Sequence, residues 1–332
     1  MNTRLQALCD RMIENRDVLR GAFRWESDQF YPVCANLFCV RGVTPDPERL
    51  AAARSLLNAE TGLFSNLRGH VRLPLICTLS MDEDPAERLH RIQDLYSALK
   101  GHFHASDYLA FAALSLSDQE GGREAAEERA WRLYRRMKEE HRFLTGEEDS
   151  LFAAILACSP RDDDALIADM EESYVLLRQT FRDGDSVQSV SHVLALESRT
   201  PKEKAARLTD LYDALTLAGG KYGRGRELGA LAALSLADAE IRTLAAEMTE
   251  AGAYLAEQKG WRGLLGFDRR TRAMHAAMLV TDLYLPAAGA ETAAFSAAAG
   301  AAASAQATLA AVLAAQTACC VAACAAASSS SH

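Results

Sequence analysis

One segment of this chain occurs twice. Asp94-Leu-Tyr-Ser-Ala-Leu99 and Asp210-Leu-Tyr-Asp-Ala-Leu215 differ only at Ser97 and Asp213, and each follows a proline, Pro85 or Pro201, at the same distance. Nearly the same closing segment follows both: Ala112-Ala-Leu-Ser-Leu-Ser-Asp118 and Ala232-Ala-Leu-Ser-Leu-Ala-Asp238. With the tyrosine as a marker the series extends to Leu19, Leu57, Tyr96, Tyr134, Tyr174, Tyr212 and Tyr254, a beat of about forty residues. An aromatic trails each of the last six markers: Phe64, Phe103, Phe143, Phe181, Tyr222 and Trp261. A third beat closes the units at Leu79, Leu116, Ala157, Leu196, Leu236 and Val280.

A unit of that length holds two helices and a turn. The stretch from Tyr134 to Ala157 shows it: Ala130, Leu133, Tyr134 and Met137 share one helical face, and Leu151, Phe152, Ile155 and Leu156 give the second helix an apolar side. Thr145 is the expected N-cap of that second helix, with Glu147, Glu148 and Asp149 in its first turn, where the helix dipole favours acids. Ser106, and Asp185 or Ser186, are the matching caps elsewhere, and Pro85, Pro160 and Pro201 fall between units. The trailing aromatics are expected to fold back onto the end of the first helix.

One amphipathic hairpin cannot bury its own apolar face, but a stack of them forms a continuous core. The expected fold is therefore all-α: about seven hairpins over residues 1–284, stacked as an α-solenoid of the armadillo or tetratricopeptide kind. A closed α/α toroid, in which first and last units meet, is the alternative. Residues 285–332 form a separate segment. From Thr292 to Ser331 there is no charge and alanine dominates, which predicts one or two close-packing helices with a Ser-rich disordered end. Alanine is weakly apolar, two glutamines interrupt and no basic flank follows, so a membrane-spanning helix is not expected there.

The net charge of −9 argues against a general nucleic-acid binder. The eight cysteines sit mostly in apolar helical patterns with no Cys-x-x-Cys pair, which reads as buried thiols in a reducing cytoplasm. No apolar leader opens the chain.

Phe23-Arg-Trp25, Thr61-Gly-Leu-Phe-Ser-Asn-Leu-Arg-Gly69, Met137-Lys-Glu-Glu-His-Arg-Phe-Leu-Thr145 with Glu148-Asp149, and Gln188-Ser-Val-Ser-His-Val-Leu-Ala-Leu196 carry a resemblance. With the alanine-rich end, they make the chain similar to the bacterial domain-of-unknown-function 4003 family over nearly its whole length. The resemblance implies a helical protein and brings no activity with it.

If the hairpins stack in parallel, their internal turns lie along one edge. That rim would carry Arg68 and His70, then His102, His104 and Asp107, then His141, Glu148 and Asp149, and at its basic end Trp261, Arg269, Arg270 and Arg272. Trp25, Glu26, Arg224 and Arg226 would share it. These are the candidate binding residues; capping and solubility account for much of the same charge. His102, His104 and His141 with Asp107 and Asp149 have metal-compatible chemistry but no compact ligand motif, so no metal and no cofactor is expected. His192 and His275 read as core residues, and Arg129, Arg132, Arg135 and Arg136 as an exposed face paired with glutamates of their own helix. No phosphate loop, nucleophile triad or paired catalytic carboxylates stands out. The leading functional expectation is a cytoplasmic scaffold for a protein or peptide. The second is an enzyme on a toroid with a pocket near His102, His104 and His141, and the third is membrane attachment through the tail.

Overall fold

The computed structural model describes residues 1–284, apart from 25, 27, 118–122, 142–143, 220–221, 226 and 264–265. The expectations for the alanine-rich tail, and those for Trp25, Phe143 and Arg226, lie outside the described residues. Among the described residues the chain is all-helical, with fourteen α-helices in order. The odd-numbered helices are α1 (Thr3–Ala22), α3 (Pro47–Glu60), α5 (Pro85–Leu99), α7 (Arg123–Glu140), α9 (Asp163–Leu177), α11 (Pro201–Leu217) and α13 (Ile241–Glu257). They alternate with α2 (Tyr31–Val40), α4 (Arg72–Met81), α6 (Asp107–Leu116), α8 (Asp149–Ala157), α10 (Gly184–Leu194), α12 (Leu228–Ser235) and α14 (Arg269–Tyr284). Each tyrosine or leucine marker falls in its own odd-numbered helix.

The two sets differ in how they are buried. An odd helix such as α5 is amphipathic and buries one stripe, Leu89, Ile92, Leu95, Tyr96 and Leu99. In α8 and α12 every residue is buried, as expected of helices apolar on all sides. The even helices thus form an inner row covered by the odd ones, and one apolar core runs from Leu5 to Leu283.

Each odd helix packs on the even helix after it and on the next odd helix; α6, α8, α10, α12 and α14 likewise pack in sequence. The two ends of the series also meet: α1 packs on α13 and α14, and α2 on α14. Asn2 donates to Glu247 at 2.5 Å, Arg16 to the Lys259 carbonyl at 2.7 Å, and Asn36 to Asp282 at 2.6 Å.

The caps follow the sequence in part. Ser106 caps α6, Thr200 makes a reciprocal capping box with Glu203, and Pro47, Pro85 and Pro201 open their helices. Thr145 does something else. Helix α8 begins at Asp149, and the Thr145 hydroxyl serves the end of α7, at 3.0 Å from the His141 carbonyl and 3.2 Å from that of Met137. Helix α10 begins at Gly184 behind Asp183, and Ser186 donates its hydroxyl to Asp183 at 2.7 Å instead of capping.

The trailing aromatics divide as well. Phe181, Tyr222 and Trp261 are buried, Phe103 packs edge-on against Trp131 and Tyr134 of the next hairpin, and Phe64 is wholly exposed beside Leu63.

Long cations close the far ends of the inner helices. Arg129 donates to the Ala157 and Ser159 carbonyls (3.0 and 2.5 Å) and pairs with Asp163 at 2.8 Å. Arg207 does the same for the Ser235, Ala237 and Ala239 carbonyls after α12. After α10 the work falls to Arg161 and Lys204, which share Asp169. These are the orphan carbonyls of a helix C-terminus, and a cation there also meets the negative end of the dipole. Arg129 therefore does not belong to a self-paired exposed face. Arg132 and Arg136 also pair outward, with Asp163 and Asp164 of α9; only Arg135 keeps a partner in its own helix, Glu139 at 3.8 Å.

Candidate functional site

The residues expected at the rim lie in or beside the turns inside successive hairpins, and several of them tie one hairpin to the next. His70 Nδ1 lies 2.5 Å from Asp107 Oδ2, tying the second hairpin to the third, and this contact holds the His70 imidazole above its usual range. The approach is so close that a Cβ on Gly69 would sit 2.1 Å from Asp107 Oδ1. Arg68 turns away from the rim, to the Thr61 hydroxyl at 2.9 Å and the Thr61 carbonyl at 2.5 Å. His102 lies 3.8 Å from Glu127 and stacks on Trp131. His104 lines a small cavity with His102 and Trp131.

At the basic end, Arg269 donates to the Gly219 carbonyl at 2.9 Å and Arg272 to that of Trp261 at 3.1 Å; Arg270 stays exposed. Trp261 is not a rim residue. It is fully buried, donates its indole N–H to His275 at 3.1 Å, and carries the Arg16 guanidinium 4.1 Å above its ring. It shares this burial with Phe181 and Tyr222 of the same aromatic beat.

One part of the rim runs inward. His141, Thr145, Asp149, Gln188 and His192 converge where the α7–α8 turn meets α10. Asp149 opens α8 and is 2 % exposed; its Oδ2 accepts the Gly146 N–H at 2.7 Å. Its Oδ1 faces His192 Nδ1 at 3.3 Å, and His192 is also 2 % exposed. Gln188 donates to the Thr145 hydroxyl at 3.1 Å. His141 closes the outer side, its ring 4.4 Å from that of Tyr174 and its Nε2 2.9 Å from Glu171 Oε2. Glu148, the remaining rim acid here, packs by Gly146 beside this group.

Burial sets the protonation. Loss of solvation pushes the Asp149 carboxyl up to about 8 and the His192 imidazole down to about 3. Both groups are neutral near pH 7. A proton on Asp149 Oδ1 then supplies a donor to His192 Nδ1, which otherwise has no hydrogen-bond partner. Gln188 Oε1 is buried without a partner too, and His141 Nε2 makes no aligned hydrogen bond. A buried polar atom without a partner carries a desolvation penalty of about 1–3 kcal/mol, so a cluster of such atoms has a cause beyond packing.

Among the described residues no three His, Cys, Asp or Glu side chains come together as a metal site. His102 lies by Glu127, His141 by Glu171, Asp107 by His70 and Asp149 by His192, so the combination of His102, His104 and His141 with Asp107 and Asp149 is not assembled. His275 is the satisfied core histidine its position suggests. His192 and Gln188 were hidden by apolar neighbours; the signal that marks them is their spacing, Gln188 and His192 standing one helical turn apart on one face of α10.

Fold and site together describe an all-α protein of paired helices with a neutral carboxyl–imidazole centre buried at one turn. The chain belongs to the family described as protein of unknown function (DUF4003), whose model matches residues 15–318. It is similar to the uncharacterized protein YeaA of Bacillus subtilis (strain 168), 24 % identical over 208 residues. That match covers 60 % of this chain and spans 63 % of the length of YeaA. No solved structure matches the chain.

Proposed function

We propose that the hairpins close into an α/α ring, and that the ring binds a small polar ligand at the Asp149–His192 centre and moves a proton there. The contacts of α1 and α2 with α13 and α14 support closure. The observation that carries the ligand is the buried Gln188 Oε1, which has no partner, beside a carboxyl kept protonated and a neutral imidazole. A neutral acid and a neutral imidazole can give and take a proton near neutral pH, the condition for general acid–base chemistry. His141 and Glu171, the more exposed members, form the entrance.

A thermal-shift panel of simple polyols, amides and amino acids tests this on the intact protein. At least one class is expected to raise Tm in the parent and to lose its effect in Gln188→Leu. A panel without effect on the parent, or equal shifts in both proteins, would remove the reading.

The scaffold reading keeps one observation of its own. Leu63 is 79 % exposed and Phe64 fully exposed in the turn after α3, as an anchor for a protein partner would be. Both readings assume a reducing cytoplasm, in which Cys9, Cys34, Cys39, Cys77 and Cys158 would stay without disulfides. No described helix is long and apolar enough to cross a membrane.

A further inference from the structure

A pocket lies between the α5–α6 turn and α7, and its chemistry differs from that of the Asp149–His192 centre. Trp131 and Tyr134, one turn apart on α7, lie nearly parallel at 5.9 Å and 17°. The His102 ring stacks on Trp131 at 5.4 Å and 22°, and Phe103 stands edge-on to both α7 rings at 5.2 and 5.0 Å. The cavity they share with His104, Lys138 and Glu147 is about 100 Å³, room for a compact head group and not for a long chain. Glu147 is exposed on its lining, and Glu127 lies 3.8 Å from His102.

We propose that this aromatic pocket binds a compact organic cation, a methylated ammonium head group. Aromatic faces present negative charge, and Glu127 and Glu147 add to it at the edge, which is the complement of a soft cation. The chain supplies its own stand-in: the Lys138 ammonium sits 5.9 Å from the Tyr134 ring centre, on an otherwise exposed side chain. A methylated ammonium, more weakly hydrated than that of lysine, is the better occupant of such a box. This site is independent of the Asp149–His192 centre, which is built from other residues and would take a different ligand.

Titration of the intact protein with tetramethylammonium chloride, at ionic strength held constant with sodium chloride, tests it through tryptophan fluorescence. A saturable change is expected in the parent. Lys138→Ala, which removes the resident cation from an exposed position, should tighten binding about two- to fivefold. Trp131→Leu should abolish the saturable change. Choline and a short trimethyl-lysine peptide then distinguish a free amine from a modified protein tail as the source. No saturable change in either the parent or Lys138→Ala, or an unaltered response in Trp131→Leu, would overturn the proposal.

Discussion

Replacing Lys204 by methionine should cost about 3–5 kcal/mol of stability, the largest loss expected from any single exposed-looking charge in the sequence. The Lys204 side chain is fully buried, its Nζ 2.6 Å from Asp169 Oδ2, 2.8 Å from the Leu194 carbonyl and 2.9 Å from that of Glu197. Burial pulls the ammonium below its usual range, and Asp169 holds it up against that. Methionine fits the space, so the cost is electrostatic: Asp169, itself 4 % exposed, keeps only Arg161 as a counter-ion, and the Leu194 and Glu197 carbonyls are left with one donor each, the Glu197 N–H at 3.3 Å and Arg161 at 3.0 Å. Asp169→Asn in the same background should recover part of the loss by removing the stranded charge. Urea unfolding of the three proteins measures this. A loss under about 1 kcal/mol for Lys204→Met would mean that the knot contributes little.

The second large effect is in pH. The Asp149 carboxyl, raised from its usual 3.8 to about 8, binds its proton more tightly folded than unfolded. Its contribution to stability is full below pH 3.8 and is lost as pH climbs to 8. His192, lowered from 6.5 to about 3, has the opposite sign: its contribution is full above 6.5 and is lost as pH falls to 3. Between pH 3.8 and 6.5 the two slopes cancel. Above 6.5 the carboxyl acts alone among this pair, and stability should fall by roughly 1.4 kcal/mol per pH unit up to 8. Asp282, raised to about 7 by burial at the α2–α14 contact, adds a fall of the same sign that ends near pH 7. Asp149→Asn, shaped like the protonated acid, keeps an acceptor for Gly146 and a donor for His192. It should match the parent only below about pH 3.8, and its advantage should widen by roughly 1.4 kcal/mol per pH unit from there through the range between pH 6 and pH 8. Parallel curves across that range would show that Asp149 is charged in the folded protein.

The hairpins were legible because helix pairing follows periodicity, and periodicity survives in a single sequence. The marker residues therefore fall one to each odd helix, in order. Which residues lie in turns was legible, but not what they do there. Charge at a turn says nothing of whether it faces solvent or the next turn, so His70 and Asp107 read as a groove and form a tie. Trp261 failed for the same reason: the arginines around it suggested a surface, while its beat in the repeat put it in the core. Lys204 and Asp169 were missed although the pattern held them. Lys204 stands on the stripe of Leu208, Leu211 and Leu215, and Asp169 adjoins that of Leu166, Met170 and Ser173. A charge on an apolar stripe signals a buried ion pair, but its partner, thirty-five residues away, needs the fold. Helix ends resisted for a related cause: Thr145 has the chemistry of an N-cap, and only the chain path shows that it finishes one helix instead of starting the next.

Closure of the helical series is best measured as a distance between its ends. Spin labels at Val18→Cys on α1 and Glu257→Cys on α13, with the half-buried Cys158 replaced by serine, report it by pulsed electron resonance. A ring brings the two labels within roughly 25 Å in one narrow distribution, because the helices that carry them pack side by side. Seven hairpins in an open stack, at about 8–10 Å for each helix contact, would hold them on the order of 50–60 Å apart, and a distribution centred there would contradict the ring.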